Sequence, residues 1–164
     1  MRVVFHFYYD CIGIRHLFIP VKCYDLTMPF KKIKYADLNS RQKEDYNFQK
    51  IAATLADYGY SCMLPNDNLQ GADFIANHID GIASLKVHLR GRLTINKQYV
   101  GKNFYVAFRY EDCTYLYPHD ELMSFIFKAL PNTEKTKSWL MEGDYHWPNP
   151  MPKKLEQELA KYKL

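Results

Sequence analysis

Several signals that would identify a function at once are missing from this sequence of 164 residues. Its four cysteines form no Cys-x-x-Cys pair and show no spacing typical of a metal site, which indicates reduced thiols in a cytoplasmic protein. No apolar run approaches the roughly 18 residues that a membrane-spanning helix requires. A glycine-rich phosphate loop, a Ser-His-Asp pattern and a zinc signature are also missing. We therefore expect neither a membrane partner nor one of these common catalytic sites.

Acidic residues are missing from one segment, residues 81–110, although the whole chain carries 18 of them. The same segment holds basic side chains, so the modest net charge of +4 hides a strongly positive region. A phosphate backbone attracts such a single-sign patch, whereas a basic face also occurs as an ordinary solvated surface. The basic residues of the segment are Lys86, Arg90, Arg92, Lys97, Lys102 and Arg109.

The sequence does contain what a globular domain needs, with 48% apolar and 24% charged residues. Its length allows one domain to bury a core without disulfides or metal staples. The pattern of apolar positions predicts helix, strand, hairpin, strand, strand and helix, followed by a C-terminal segment. This order indicates an α/β fold in the broad sense, a mixed α+β domain whose helices flank a central mixed sheet.

The first 27 residues differ in character from the rest, because they are apolar and aromatic without a clear period. One hypothesis is that the native chain begins at Met28 and that residues 1–27 derive from an upstream start codon. The alternative is an extra strand, VVFHFYY, at the sheet edge. Residues 28–131 are then predicted to form the core domain, and residues 132–164 a C-terminal helical appendage.

The stretch 71–92, which reads GADFIANHIDGIASLKVHLRGR, organises the rest of the chain. Its Asp80-Gly81 step between two alternating runs predicts a β-hairpin with a two-residue type I′ turn. That turn fixes the register, since the numbers of paired residues must then sum to 80 plus 81, or 161. Asp73 is therefore predicted to lie opposite His88.

Side chains alternate across a strand, so this hairpin has two faces. One face is nearly all apolar, which predicts packing on a core. Opposed residues on the other face have β-carbons roughly 4.5 to 5.5 Å apart, close enough for Asp73 and His88 to share an ion or a hydrogen bond. The same charges also suit a solvated strand face that protects a sheet edge. The polar face carries Asp73, Lys86, His88, Arg90 and, if the strand continues, Arg92.

A helix is predicted to begin after an N-cap at Asn39 or Ser40 and to end before Gly59. Glu44 lies on the same helical stripe as the apolar Phe48, which points the carboxylate inward or along the core edge. The alternative is an exposed acid in the first helical turn, where negative charge is favoured.

This arrangement resembles the PD-(D/E)XK nuclease superfamily. The resemblance consists of a helix with an early Glu, a short strand, and a hairpin with Gly-Ala-Asp-x-x-Ala in its first strand and polar-x-basic at the end of its second. In layout the stretch 37–130 is most similar to archaeal Holliday-junction resolvases and nucleases associated with group I introns. The resemblance implies a restriction-endonuclease-like core, DNA as the partner, and Mg²⁺ or Mn²⁺ as the cofactor. It further implies that a homodimer forms to match two-fold DNA.

Residue by residue, the resemblance makes Asp73 the principal metal ligand, Glu44 the second acid and His88 an auxiliary ligand or general base. His88 stands where the superfamily has Glu, or Gln in some branches. Arg90 replaces Lys; it cannot deprotonate but still clamps a phosphate, and Lys86 on the same strand face is a substitute for the displaced Lys. Nucleic-acid contacts are expected from Lys86, Arg90, Arg92, Lys97 and Lys102.

Three functional hypotheses follow. The first is a metal-dependent DNA endonuclease or resolvase that hydrolyses phosphodiester bonds with these five catalytic residues, which are Glu44, Asp73, Lys86, His88 and Arg90. The second is a catalytically inactive nucleic-acid-binding module on the same fold. The third is a protein-interaction domain whose basic face meets an acidic partner.

Overall fold

The computed structural model describes residues 31–65 and 71–164, and the elements below belong to the unit Lys34–Leu164. The predicted extension 1–27 lies outside the described residues. Within the described ranges, no helix combines the length and the apolar character that crossing a membrane would require. Cys62 and Cys113 are free thiols.

Helix α1 (Ser40–Asp57) begins where the sequence predicts. The Asn39 side chain accepts a hydrogen bond from the Gln42 amide at 2.9 Å, and the Gln42 side chain accepts one from the Asn39 amide at 3.0 Å. This reciprocal pair satisfies amides that a helix start leaves without partners. Gly59 follows the helix with a φ of +79°, a left-handed conformation that glycine adopts without strain.

In the described part of the chain, seven strands make a five-stranded sheet and a separate two-stranded sheet. The first sheet has the order β1-β2-β3-β5-β6; β3 pairs with β5 in parallel, and the other three pairs are antiparallel. Strands β4 and β7, which the sequence did not predict, form the second sheet. The strands are β1 (Tyr60–Met63), β2 (Phe74–His78), β3 (Ser84–Leu89), β4 (Thr94–Asn96), β5 (Phe104–Tyr110), β6 (Cys113–Pro118) and β7 (Asp144–His146).

The hairpin β2–β3 has the predicted register but not the predicted turn. Phe74 pairs with Val87 and Asn77 with Ser84, so the sums are 161 as expected. The φ of Asp80 is not positive, which excludes the type I′ turn. The loop is longer because the Asp80 side chain accepts hydrogen bonds from the amides of residues 82 and 83, at 2.8 and 3.2 Å.

Strand β3 ends at Leu89, so the continuation to Arg92 does not form. The Arg90 amide still donates to the Ala107 carbonyl at 2.9 Å, and the chain then leaves the sheet. Parallel strands require a crossover, so the chain has to return along the sheet before β5 begins. We call residues 90–103 the crossover; it contains β4 and Tyr99.

Two apolar clusters cover the two faces of the five-stranded sheet. Ala107 belongs to the cluster around α1, whereas its neighbours Val106 and Phe108 belong to the other cluster, as strand alternation requires. The second cluster includes residues of α2 (His119–Ala129) and α3 (Lys153–Leu159). The predicted fold class, a mixed α+β protein with helices flanking a central mixed sheet, is confirmed.

The C-terminal segment contributes to that second cluster. Trp139 lies in a π-helical turn, Ser138–Glu142, and is buried, as is Trp147 after β7. Leu155 and Leu159 of α3 are almost completely excluded from solvent. Residues 132–164 therefore pack into the main core of the unit.

Candidate functional site

Asp73 lies just before β2, at the end of the hairpin opposite the loop. Its Oδ2 atom accepts hydrogen bonds from the Leu89 amide at 2.8 Å and from Arg90 Nη1 at 3.0 Å. Its Oδ1 atom lies 3.4 Å from His88 Nδ1. Partial burial would raise the pKa of Asp73, but the His88 ring, the Leu89 amide and the Arg90 charge together hold this pKa below its ordinary value. The carboxylate is therefore charged and fixes the end of β3.

Arg90 is anchored on several sides. Besides Asp73, its guanidinium donates to the Leu89 carbonyl at 2.6 Å and to the Tyr99 hydroxyl. The guanidinium carbon lies 5.5 Å from the centre of the Tyr99 ring, within the range of a cation–π contact. About a third of the Arg90 side chain is exposed, at 33%. The guanidinium thus has a fixed position with one side open to solvent.

His88 is buried, with only 5% of its surface exposed. Its ring stacks on Tyr99 at a centroid distance of 3.9 Å and meets the edge of Phe104 at 4.7 Å. Within residues 31–65 and 71–164 neither ring nitrogen makes a hydrogen bond, and Nδ1 has only its 3.4 Å contact with Asp73 Oδ1. The predicted juxtaposition of Asp73, His88 and Arg90 is present, but the His88 ring is covered on one side by Tyr99.

The remaining predicted basic residues all lie on β3 and the crossover. Lys86 is half-buried on β3 and pairs with Ile75 on one side and Phe104 on the other. Lys97 carries its ammonium 5.2 Å from the Trp139 ring. Exposed side chains are those of Arg92, Lys97 and Lys102.

Glu44 is not brought to the other predicted residues. It is exposed just past the first turn of α1, which itself holds no acidic residue, so Glu44 is a solvated acid but not one of the first turn. One helical turn later, Phe48 contacts Phe74 with ring centres 5.4 Å apart, which places Glu44 towards the Asp73 end of the sheet. However, α1 packs on the sheet face opposite to His88.

The residues present do not fit a hard divalent cation. In the described part of the chain, no group of three or more His, Cys, Asp and Glu side chains is arranged to hold a metal ion. Mg²⁺ prefers several oxygen ligands in octahedral geometry, and Asp73 offers one carboxylate that is already bonded to Arg90. The set of Asp73, Glu44 and His88 does not form such a site in this structure.

No protein-family model matches this sequence, and no curated protein matches it. Among solved structures, the chain is similar to the bacterial homing endonuclease I-Ssp6803I. The TM-score is 0.46 and the identity 15%, over 76% of this chain and 86% of that one. What this chain does therefore has to be inferred from its own residues.

Sequence reasoning missed Tyr99, which organises the site. It was assigned to a polar connector, but its ring is only 4% exposed and contacts His88 and Arg90, and also His119 at 5.3 Å. The sequence offered only part of the signal. Tyr99 is the one aromatic residue of the crossover, but the crossover packs over a sheet face because β3 and β5 are parallel, which is a tertiary feature.

Proposed function

We propose that this protein binds nucleic acid, with DNA as the expected ligand, through the basic side chains of β3 and the crossover. One observation carries the proposal: all five predicted phosphate-contacting residues lie on that continuous stretch of chain, and no acidic residue lies among them. The proposal rests on these residues and not on the likeness to the homing endonuclease.

The accessible charges support binding to a polyanion. Arg92, Lys97 and Lys102 are exposed, and none of them forms an ion pair with a residue of the described ranges 31–65 and 71–164. Unpaired cations of this kind exchange their counterions for phosphates at little cost, which makes binding sensitive to salt. Arg90, on the same stretch of chain and about a third exposed, adds a planar donor group of a shape that suits phosphate oxygens.

Fluorescence anisotropy with labelled duplex and single-stranded DNA over a salt series tests this. Each of Arg92→Ala, Lys97→Ala and Lys102→Ala should reduce the slope of log affinity against log salt by about 1, and the triple variant should lose most binding. Lys153→Ala with Lys154→Ala, in α3, is the matched control and should leave the slope unchanged. Binding without salt dependence, or a triple variant equal to wild type, would contradict the proposal.

Phosphodiester hydrolysis is the second candidate, favoured by the position of Asp73 opposite His88 and beside Arg90. Plasmid, branched and single-stranded DNA would be incubated with Mg²⁺ or Mn²⁺ and either wild type or Asp73→Ala. Metal-dependent cutting that disappears in Asp73→Ala would establish this activity and would show that Asp73 binds the ion despite its contact with Arg90. Absence of cutting, with salt-sensitive binding retained, would leave the binding function alone.

A further inference from the structure

The Asp73 carboxylate has little capacity left for another cation. Its Oδ2 atom already accepts from the Leu89 amide and from Arg90, and its Oδ1 atom faces the His88 ring at 3.4 Å. A carboxylate has about four lone-pair directions, and those of Oδ2 are both used. Only Oδ1 remains as a ligand.

The Arg90 charge beside Asp73 is permanent. A guanidinium stays protonated at any pH at which proteins fold, unlike the Lys that the nuclease resemblance leads one to expect. It is also held in place, since the Leu89 carbonyl and the Tyr99 hydroxyl accept two further hydrogen bonds. A divalent ion that approaches Asp73 therefore meets a fixed positive charge.

The neighbouring side chains supply no further ligand for a divalent ion at Asp73. Tyr99 and Phe104 enclose His88, and neither His88 nitrogen is exposed. We propose that the Arg90 guanidinium occupies the place beside Asp73 that a divalent metal ion would need, so that this site binds no divalent ion. The proposal concerns Asp73, Arg90 and His88 and stands independently of nucleic-acid binding.

Thermal unfolding with MnCl₂ or MgCl₂, matched in ionic strength with NaCl, tests the wild-type protein directly. Wild type and Asp73→Asn should show the same small response to either ion. The loss of a Mn²⁺-dependent rise in Tm on going from wild type to Asp73→Asn would overturn the inference. This measurement needs no nucleic acid, so its outcome is separate from that of the binding assay.

The reverse test restores an acid and a Lys in the double variant His88→Glu with Arg90→Lys. This variant should gain a Mn²⁺-dependent rise in Tm and quench the electron paramagnetic resonance signal of free Mn²⁺, both lost when Asp73→Asn is added. A folded double variant that does not respond would contradict the inference, because other features would then exclude the ion. If the double variant does not fold, the wild-type comparison with Asp73→Asn still decides.

Discussion

Two buried histidines, each beside an aspartate, contact the Tyr99 ring: His88 stacks on it and His119 meets it edge to face. His119, at the start of α2, is completely buried and uses both nitrogens: Nε2 accepts from the Asn96 amide at 3.0 Å, and Nδ1 lies 2.8 Å from Asp120 Oδ1. His88 is buried almost as fully, yet among the described residues neither of its nitrogens makes a hydrogen bond, and Nδ1 has only the 3.4 Å contact with Asp73. The two histidines contact the same aromatic ring, but only His119 makes hydrogen bonds through its nitrogens.

The difference shows how to separate structural from candidate functional groups. His119 links β4 to the start of α2, because its imidazole accepts the hydrogen bond of the Asn96 amide. The His88 ring packs against Tyr99 and Phe104 as an aromatic side chain. Burying its nitrogens without hydrogen bonds costs about 1 to 3 kcal/mol of folding free energy. A polar group left unsatisfied in a native core calls for an explanation, and the position of His88 beside Asp73 and Arg90 makes it a candidate for a functional role.

The largest effect is expected from removing the ring that both histidines share. Tyr99→Ala should lower the free energy of unfolding by about 3 to 5 kcal/mol, because it opens a cavity between His88 and His119. Urea denaturation followed by circular dichroism measures this. Tyr99→Phe is the matched control; it keeps both ring contacts, loses the hydrogen bond to Arg90 and should cost only about 1 kcal/mol. Similar losses for the two variants would show that the hydroxyl, not the ring, holds the site.

The next effect tests the bonded histidine. His119→Phe should cost about 2 to 4 kcal/mol, since the Asn96 amide and the Asp120 carboxylate lose their partner. Hydrogen exchange at the Asn96 amide should accelerate with the loss of stability. A variant as stable as wild type would mean that the His119 hydrogen bonds contribute nothing net to the fold.

The same histidine predicts a pH dependence. Burial lowers the pKa of His119 below its ordinary value of 6.5, although the hydrogen bond and charge of Asp120 act in the opposite direction. The unfolded chain therefore binds this proton first, so His119 contributes stability above about pH 6.5 that is lost as the pH falls, by at most about 1.4 kcal/mol per pH unit. Unfolding measured between neutral and mildly acidic pH should show this slope in wild type and a flatter one in His119→Phe. Equal slopes would contradict the assignment.

The smallest effect is expected at the unbonded histidine. His88→Phe keeps the stack on Tyr99 and removes two unsatisfied polar atoms, so its stability should lie within about 1 kcal/mol of wild type or above it. Urea denaturation beside His119→Phe makes the comparison direct. A loss as large as that in His119→Phe would show that His88 has a partner in solution.

Local pattern was sufficient for the hairpin register but not for its turn. The loop extends equally on both sides of the predicted centre, so the paired numbers still sum to 161 and Asp73 still lies beside His88. A two-residue turn with both φ values positive occurs instead at Glu111 and Asp112, between the paired residues 110 and 113. Neither residue is glycine, and the strong β5–β6 pairing imposes the conformation that local preference disfavours.

The sequence alone determined the elements that depend on near neighbours: the Asn39 cap, the alternation of β2 and β3, and the proximity of Asp73, His88 and Arg90. Only the tertiary structure decided whether those groups reach solvent. The parallel pairing of β3 and β5 forces a crossover over the sheet, which places Tyr99 on His88, and the packing of α1 on the opposite face keeps Glu44 away. The register of the hairpin follows from the local periodicity of two in a strand. The burial of His88 under Tyr99 depends on contacts between distant segments, which no local pattern encodes.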